Sequence, residues 1–161
     1  MKEQEEAERR FMLRAAELAA YAVDHGLGGP FGAVVVKDGV IVGEGYNQVT
    51  SANDPTAHAE VMAIRNACQQ LESFQLTGCE IYSSCEPCPM CLGAIYWARP
   101  EKLIYGSTRF DAANAGFDDA FIYHELALPE NQRNLRISFQ PHQKAIEVFR
   151  HWKDRENKTT Y

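Results

Sequence analysis

The sequence predicts an α/β fold in which helices cover both faces of a mixed, five-stranded sheet. Short apolar stretches typical of strands alternate with stretches whose apolar residues recur at helical spacing, as in Phe11, Ala15 and Leu18. A two-residue turn, Asp38-Gly39, joins the first two strands into an antiparallel hairpin, and the later strand–helix–strand units favour parallel crossovers. Together these patterns indicate three layers, α/β/α.

The predicted elements follow one another without a linker or an internal repeat, so we expect residues 1–161 to form a single domain. Asp54 and Thr56 predict the N-terminal cap of the second helix. In chain order the elements are a helix over 3–25, strands over 33–37 and 40–46, a helix over 57–71, a strand over 79–84, a helix over 87–98, a strand over 102–105, short helices over 111–115 and 121–126, a strand over 136–139 and a helix over 143–155.

Composition narrows the classes of function. The formal net charge is −6 and no cluster of Lys and Arg stands out, which favours a small substrate over a nucleic acid. No cleavable leader and no apolar run of membrane-spanning length is evident, so we expect no membrane partner. The five cysteines are an odd number, which together with the missing leader predicts a reducing, cytoplasmic setting where clustered thiols bind metal.

An imidazole, a carboxylate and two thiols occur in two short motifs, His58-x-Glu60 and Cys88-x-x-Cys91. Both motifs fall at predicted helix N-termini, where free backbone N–H groups stabilise thiolates. Cys88 and Cys91 are three positions apart and therefore share one helix face. We expect His58, Cys88 and Cys91 to bind one zinc ion per chain.

Cys85 keeps a second interpretation of the metal site open. A catalytic zinc reserves its fourth position for water, whereas a structural zinc takes a fourth protein ligand, and Cys85 lies only three residues before Cys88. Pro87 separates Cys85 from the helical turn and favours the catalytic site. In that site Glu60 would move a proton from a zinc-activated water to a leaving amine. The backbone N–H of Ala59 or that of Cys88 would hydrogen-bond the substrate oxygen or the tetrahedral intermediate.

Beyond the metal motif, the chain resembles the bacterial guanine deaminases of the cytidine-deaminase fold. The resemblance rests on residues 28–34, 53–60, 83–95 and 115–119, and the last segment, Ala-Gly-Phe-Asp-Asp, differs in transfer-RNA adenosine deaminases. It implies hydrolytic deamination of guanine to xanthine and ammonia. It also implies a homodimer in which residues 141–161 are exchanged between subunits.

The same resemblance implies residues that bind the purine. Asn47 would hydrogen-bond it, Phe31 and Trp97 would pack against its ring, Asp119 would contact its amine side and assist proton transfer, with Asp118 the less favoured neighbour, and Tyr161 would close the site of the partner subunit.

Each of these residues also has a purely structural interpretation. Phe31 and Trp97 would then be packing residues, and Asn47 would satisfy the backbone of a turn. Asp118 and Asp119 would cap a short helix. A terminal tyrosine such as Tyr161 is normally poorly ordered.

Three other functions stay open at this stage. Guanosine deamination uses the same chemistry on the nucleoside. Transfer-RNA adenosine deamination shares the zinc motif, although the acidic balance argues against an RNA substrate. A zinc-stapled interaction module would need Cys85 as a fourth ligand.

Overall fold

The structure, a computed structural model, describes residues 2–161 and, from residue 4 onwards, their side chains. Helices cover both faces of a mixed sheet, which confirms the predicted three-layer fold. The helices and strands in chain order are α1 (Lys2–Asp24), β1 (Gly32–Lys37), β2 (Val40–Tyr46), α2 (Val49–Ala52), α3 (Ala59–Gln70), β3 (Cys79–Ser83), α4 (Pro89–Ala98), β4 (Lys102–Tyr105), α5 (Arg109–Asn114), α6 (Ala120–Ala127), a 3₁₀ helix (Glu130–Gln132) and α7 (Gln143–Asp154).

The sheet has the strand order β2-β1-β3-β4. β1 pairs antiparallel with both β2 and β3. β3 pairs parallel with β4, and α4 connects these two strands along the chain. At the hairpin tip Asp38 and Gly39 have φ angles of 50° and 75°, as a two-residue turn of the predicted kind requires. The parallel pair places the ends of β3 and β4 side by side, directly before the loops that lead to the metal motif and to α5.

The alternation of side chains along the strands fills two separate cores. Val34, Val36 and Tyr82 point to one face and pack against Phe11 and Leu18 of α1. On the other face, sheet residues pack against α3 and α4. This core contains Ala33, Val35 and Ile81 of the sheet, Ala59, Ala63 and Ala67 of α3, and Ile95 and Ala98 of α4. Burial on both faces fixes the strand register, because a shift by one residue would reverse every side chain.

Two glycines of β2 allow α3 to approach the sheet closely. A Cβ atom on Gly43 or Gly45 would collide with the carbonyl oxygens of Ala63 and Ala59, respectively. The first turn of α3 therefore lies against the end of β2, next to Asn47.

Both helices that carry the metal motifs begin two residues later than predicted. Asp54 accepts hydrogen bonds from the backbone N–H and the hydroxyl group of Thr56, at 2.8 and 2.7 Å, so it closes a turn before α3 and does not cap the helix. The N-cap residues are instead His58 for α3 and Cys88 for α4, both with extended backbone. The short helix α2 was not expected from the sequence.

The chain divides into two compact units, Met1–Asp119 and Ala120–Tyr161. The predicted fifth strand, over 136–139, is wrong: within residues 2–161 the sheet has four strands. This segment belongs to the second unit, which has no other strand to supply hydrogen-bonding partners, and β propensity alone does not make a strand. The single domain over 1–161 and the exchange of 141–161 stay predictions.

Candidate metal centre and active site

Three metal-ligating side chains meet where α3 and α4 begin. His58 is the N-cap of α3, Cys88 is the N-cap of α4, and Cys91 is the third residue of α4 and fully buried. The Nδ1 atom of His58 lies 3.6 Å from the Sγ atom of Cys88 and 3.4 Å from that of Cys91. All three ligand atoms lie within 4.8 Å of one another.

This donor set fits zinc. Tetrahedral zinc binds nitrogen at about 2.0–2.1 Å and sulfur at about 2.3 Å, so a nitrogen and a sulfur on one ion are about 3.6 Å apart. The two nitrogen–sulfur distances in the structure, 3.6 and 3.4 Å, match that separation. One imidazole and two thiols also suit zinc chemically. His58, Cys88 and Cys91 would therefore hold the ion.

The two thiols differ in acidity because they share a hydrogen bond. Cys91 donates to the sulfur of Cys88, and His58 adds a second hydrogen bond, which together lower the pKa of Cys88 to about 4 although burial opposes this. The same bond raises the pKa of Cys91, with burial acting in the same direction. The hydrogen bond with Cys88 also raises the pKa of His58. The lowered pKa of Cys88 favours the thiolate form, which is the form that binds zinc.

Cys85 stands apart from this cluster. Its Sγ atom donates to the carbonyl oxygen of Thr108 at 3.5 Å. Among the described residues, the group of possible metal ligands contains His58, Cys88 and Cys91 and not Cys85. Catalytic zinc has three protein ligands, which is the number found here. The alternative of a closed, four-ligand structural site lacks its fourth ligand, because Cys85 is not in the cluster.

Glu60 lies in the first turn of α3, with its side chain buried beside the cluster. The hydroxyl group of Ser83 donates to its Oε1 atom at 3.3 Å, and the carboxyl group also hydrogen-bonds with Cys91. Burial raises the pKa of Glu60, as a group that exchanges protons near neutral pH requires. Ser83, itself buried at the end of β3, is a contributor that the sequence did not single out.

Asn47 is buried directly after β2, and its two polar atoms have different tasks. The Oδ1 atom accepts hydrogen bonds from the backbone N–H groups of Gly29 and Val49, both at 3.1 Å. The Oδ1 atom of Asn47 therefore satisfies backbone groups, as the structural interpretation of this residue predicted. The same two bonds orient the Nδ2 amide, which is the group that could donate to a substrate.

Phe31 and Asp119 are linked through Phe117. The rings of Phe31 and Phe117 pack edge to face, with centroids 5.1 Å apart and planes at 89°. Asp119 follows two residues later, half-buried, and burial and the nearby charge of Cys88 raise its pKa. Asp119 therefore lies within electrostatic reach of the metal centre. Because α6 begins at Ala120, the helix-cap interpretation of Asp119 also stays open.

Comparison with known proteins agrees with this geometry. Residues 5–107 match the model of the cytidine and deoxycytidylate deaminase zinc-binding region, which is more than half of the chain. This chain belongs to that deaminase family. The family and the three-residue donor set confirm the zinc cofactor, one ion per chain.

Two bacterial relatives show how far the similarity of this deaminase extends. Guanine deaminase from Bacillus subtilis is 53% identical over 151 residues, which cover 94% of this chain and 97% of the relative. Its X-ray structure superposes with a TM-score of 0.92 at 52% identity, over 95% of this chain and 98% of that one. A transfer-RNA-specific adenosine deaminase from Aquifex aeolicus is 36% identical over 119 residues, covering 74% of this chain and 76% of the relative.

Three predicted substrate contacts of the deaminase remain: Ala59, Trp97 and Tyr161. Ala59 is the first residue of α3, buried, with its backbone N–H in the first turn. Trp97 lies near the end of α4, six residues after Cys91, with 63% of its surface exposed. Tyr161 is exposed and belongs to the second unit. Their contacts with a purine stay predictions.

Among the described residues, no helix combines the length and apolar character needed to cross a membrane.

Proposed function

We propose that this chain is a guanine deaminase, which converts guanine and water into xanthine and ammonia. The observation that carries the proposal is the extent of the similarity. The match with a guanine deaminase runs over 151 residues at 53% identity, whereas the match with a transfer-RNA adenosine deaminase runs over 119 residues at 36%. A small purine substrate also agrees with the net charge of −6.

In this proposal zinc, when bound by His58, Cys88 and Cys91, acts as a Lewis acid that lowers the pKa of a water molecule. Glu60 accepts the proton of that water through its carboxylate. The oxygen of the deprotonated water would bond to C2 of guanine. Glu60 would then deliver the proton to the exocyclic amine, so that the C2–N bond breaks, ammonia leaves and xanthine remains. The hydrogen bond from Ser83, 3.3 Å long, orients the carboxyl group for both steps.

The purine is held by groups around the same centre. Asn47 donates from Nδ2 to a ring acceptor, because its oxygen is already engaged by two backbone N–H groups. The backbone N–H of Ala59 donates to the substrate from the first turn of α3. Asp119 accepts from the amine side and assists the proton transfer, and its raised pKa suits that task. Phe31 and Trp97 pack against the ring.

Turnover of a small panel tests the proposal. Zinc-loaded protein is incubated with guanine, guanosine, adenine, cytosine, cytidine and an unmodified transfer RNA, and absorbance and inosine content are followed. We expect conversion of guanine to xanthine at a rate that exceeds all others. Activity confined to guanosine would show that the nucleoside, and not guanine, is the substrate. Inosine in the transfer RNA would favour adenosine deamination, the activity named for the relative at 36% identity.

We further propose that the chain works as a homodimer that exchanges residues 141–161, so that residues 1–161 of two chains form complete deaminase domains. All residues of 120–161 are described, and α6, the 3₁₀ helix and α7 bury none of their side chains. Phe139 and Phe149 expose 89% and 78% of their surfaces. Such an apolar surface favours a protein partner, and a second copy is the partner that closes with two-fold symmetry.

Complementation between two inactive variants tests the exchange. Glu60→Gln removes the proton shuttle and Tyr161→Ala removes the terminal ring. In a mixed dimer an exchanged tail gives one chain both an intact Glu60 and the partner's intact terminal tyrosine. We expect co-expression of the two variants to restore guanine turnover. Activity no greater than the sum of the separate variants would contradict the exchange.

We place the reaction in the cytoplasm. All five cysteines are free thiols, and the pair Cys88 and Cys91 must stay reduced to bind zinc. Zinc content measured after exposure to oxidised glutathione checks this requirement. We expect metal loss under oxidising conditions and its recovery with a thiol reductant, and unchanged zinc content would remove the argument for a reducing compartment.

A further inference from the structure

Residues 83–86, here called the linking segment, lie just before Pro87 and the Cys88 motif and contact three other parts of the first unit: the start of α3, the start of β1 and the start of α5. Ser83 donates to Glu60, and the Oγ atom of Ser84 accepts from the backbone N–H of Gly32 at 3.0 Å. Cys85 donates to the carbonyl oxygen of Thr108, and the Oε2 atom of Glu86 accepts from the backbone N–H of Arg109 at 3.0 Å. Zinc binding by itself uses none of these bonds.

Backbone hydrogen bonds continue the pairing of β3 and β4 into this segment. The N–H groups of Gly106 and Ser107 donate to the carbonyl oxygens of Ser83 and Ser84 at 3.1 and 3.0 Å. The N–H of Glu86 donates back to the carbonyl oxygen of Ser107 at 2.8 Å. Three backbone hydrogen bonds therefore join the loop before the zinc ligands to the loop that begins α5.

Helix α5 depends on this connection for its position. It has six residues, none of them buried, and a helix of that length is not stable alone. Two groups hold its N-terminus: Thr108, through a capping box with Asp111, and the carboxylate of Glu86, which binds the N–H of the first helical residue. A negative charge at that end also interacts favourably with the helix dipole.

The far end of α5 leads to Asp119. The N–H of Phe117 donates to the carbonyl oxygen of Ala112 in α5 at 2.9 Å, and the ring of Phe117 packs on Phe31. Asp119 comes two residues later. The position of this carboxylate therefore depends on how α5 is held at its start.

We infer that Glu86 is a positioning residue for the deaminase reaction: by holding the start of α5 to the zinc-binding loop, it fixes the distance between Asp119 and the metal centre. This inference rests on the proposed function, because it uses the role of Asp119 in binding guanine. It also predicts a physical coupling between residues 86 and 109–119 that exists without any substrate.

Kinetics on guanine test the inference. Glu86→Ala removes the acceptor and Glu86→Gln restores a neutral acceptor. Glu80→Ala is the control, since Glu80 lies near the start of β3 and accepts a hydrogen bond from the hydroxyl group of Tyr82. A hydrogen bond to a charged group supports an expected loss of about tenfold in kcat/KM for Glu86→Ala. We expect Glu86→Gln to recover most of this loss and Glu80→Ala to show no loss of kcat/KM. All three variants should keep one zinc per chain.

A double-mutant cycle shows whether Glu86 acts through Asp119. We expect Glu86→Ala to have little further effect on kcat/KM when Asp119 is already asparagine. Losses that multiply, or a loss of zinc in Glu86→Ala, would overturn the inference.

Amide hydrogen exchange provides a readout that needs no substrate. In Glu86→Ala we expect faster exchange over residues 109–119 and unchanged exchange over 59–70, with Glu86→Gln close to the wild type. Unchanged exchange over 109–119 would overturn the inference even if guanine is the substrate. If the wild type does not act on guanine, the proposed function fails, and this exchange experiment still decides the role of Glu86.

Discussion

The two compact units of this chain differ in what holds them together. The first, up to Asp119, has two apolar cores on either side of a sheet, and its zinc ligands lie at the starts of two helices packed on that sheet. In the second, Ala120–Tyr161, the three helices bury no side chain although large apolar residues are frequent.

This difference separates two requirements of an enzyme. The reacting groups need fixed distances, and a packed core supplies them. In the proposed dimer, a segment that only closes the substrate site would tolerate an apolar surface that a partner covers after assembly. We therefore expect variants in the first unit to abolish chemistry without changing assembly, and variants in the second to act through assembly.

Loss of a zinc ligand is expected to have the largest effect. Cys88→Ser should remove the metal and all measurable deamination, because a hydroxyl group does not replace a thiolate on zinc. Metal analysis of the purified protein measures this. Cys85→Ser is the matched control, since its thiol binds Thr108, and it should keep one zinc per chain. Zinc loss in the control would restore the four-ligand interpretation.

Removal of the proton shuttle is expected to come next. Glu60→Gln should reduce kcat by about 10² to 10⁴, the usual contribution of a general acid–base. Zinc content and the oligomeric state should not change, because Glu60 is not among the ligand atoms of the cluster. Near-normal turnover in this variant would remove Glu60 from the mechanism.

A change in the second unit tests the other half of the comparison. Phe149→Glu places a charge on the exposed apolar side of α7, and it should convert a dimer of two chain masses into a monomer that retains zinc. Light scattering coupled to gel filtration measures the mass. Glu147→Lys, on the opposite side of α7, should remain dimeric. A wild-type protein that is already monomeric would contradict the assembly.

The smallest effect is expected from an ion pair between α1 and β2. Arg14 binds both carboxylate oxygens of Glu44, at 2.8 and 2.9 Å, and this lowers the pKa of Glu44 in the folded protein. Because both side chains remain partly exposed to solvent, at 41% and 37% of their surfaces, Glu44→Gln should cost about 1 kcal/mol or less of the free energy of unfolding.

That small cost should depend on pH in a defined direction. A carboxylate whose folded pKa is lowered stabilises the protein above its unfolded pKa of about 4.3, and the contribution disappears as pH falls through the folded pKa. Urea unfolding of wild type and Glu44→Gln should therefore differ near neutral pH and converge in acid. A difference that grows on acidification would contradict the ion pair.

Local chemistry made the metal centre predictable from the sequence. His58, Cys88 and Cys91 follow from motif spacing, since residues three apart on a helix face one ligand and the first turn of a helix favours thiolates. The hairpin at Asp38-Gly39 is equally local, because its φ angles suit only certain residues.

Features that depend on distant partners were not predictable. The bonds from Ser83 to Glu60 and from Arg109 to Glu86 arise from the packing of α3 on the sheet and the parallel register of β3 and β4. The start of α3 was misplaced because Asp54 forms a turn with Thr56 and does not cap the helix. The segment 136–139 has the composition of a strand but lacks a neighbouring strand within its own unit.

Isotope incorporation tests the central claim, hydrolysis at C2 of guanine, most directly. Wild-type, zinc-loaded protein is incubated with guanine in ¹⁸O-labelled water, and the product is examined by mass spectrometry while ammonia is quantified. The account predicts xanthine carrying one ¹⁸O atom, with one ammonia released per xanthine. Unchanged guanine, or xanthine without the label, would contradict it.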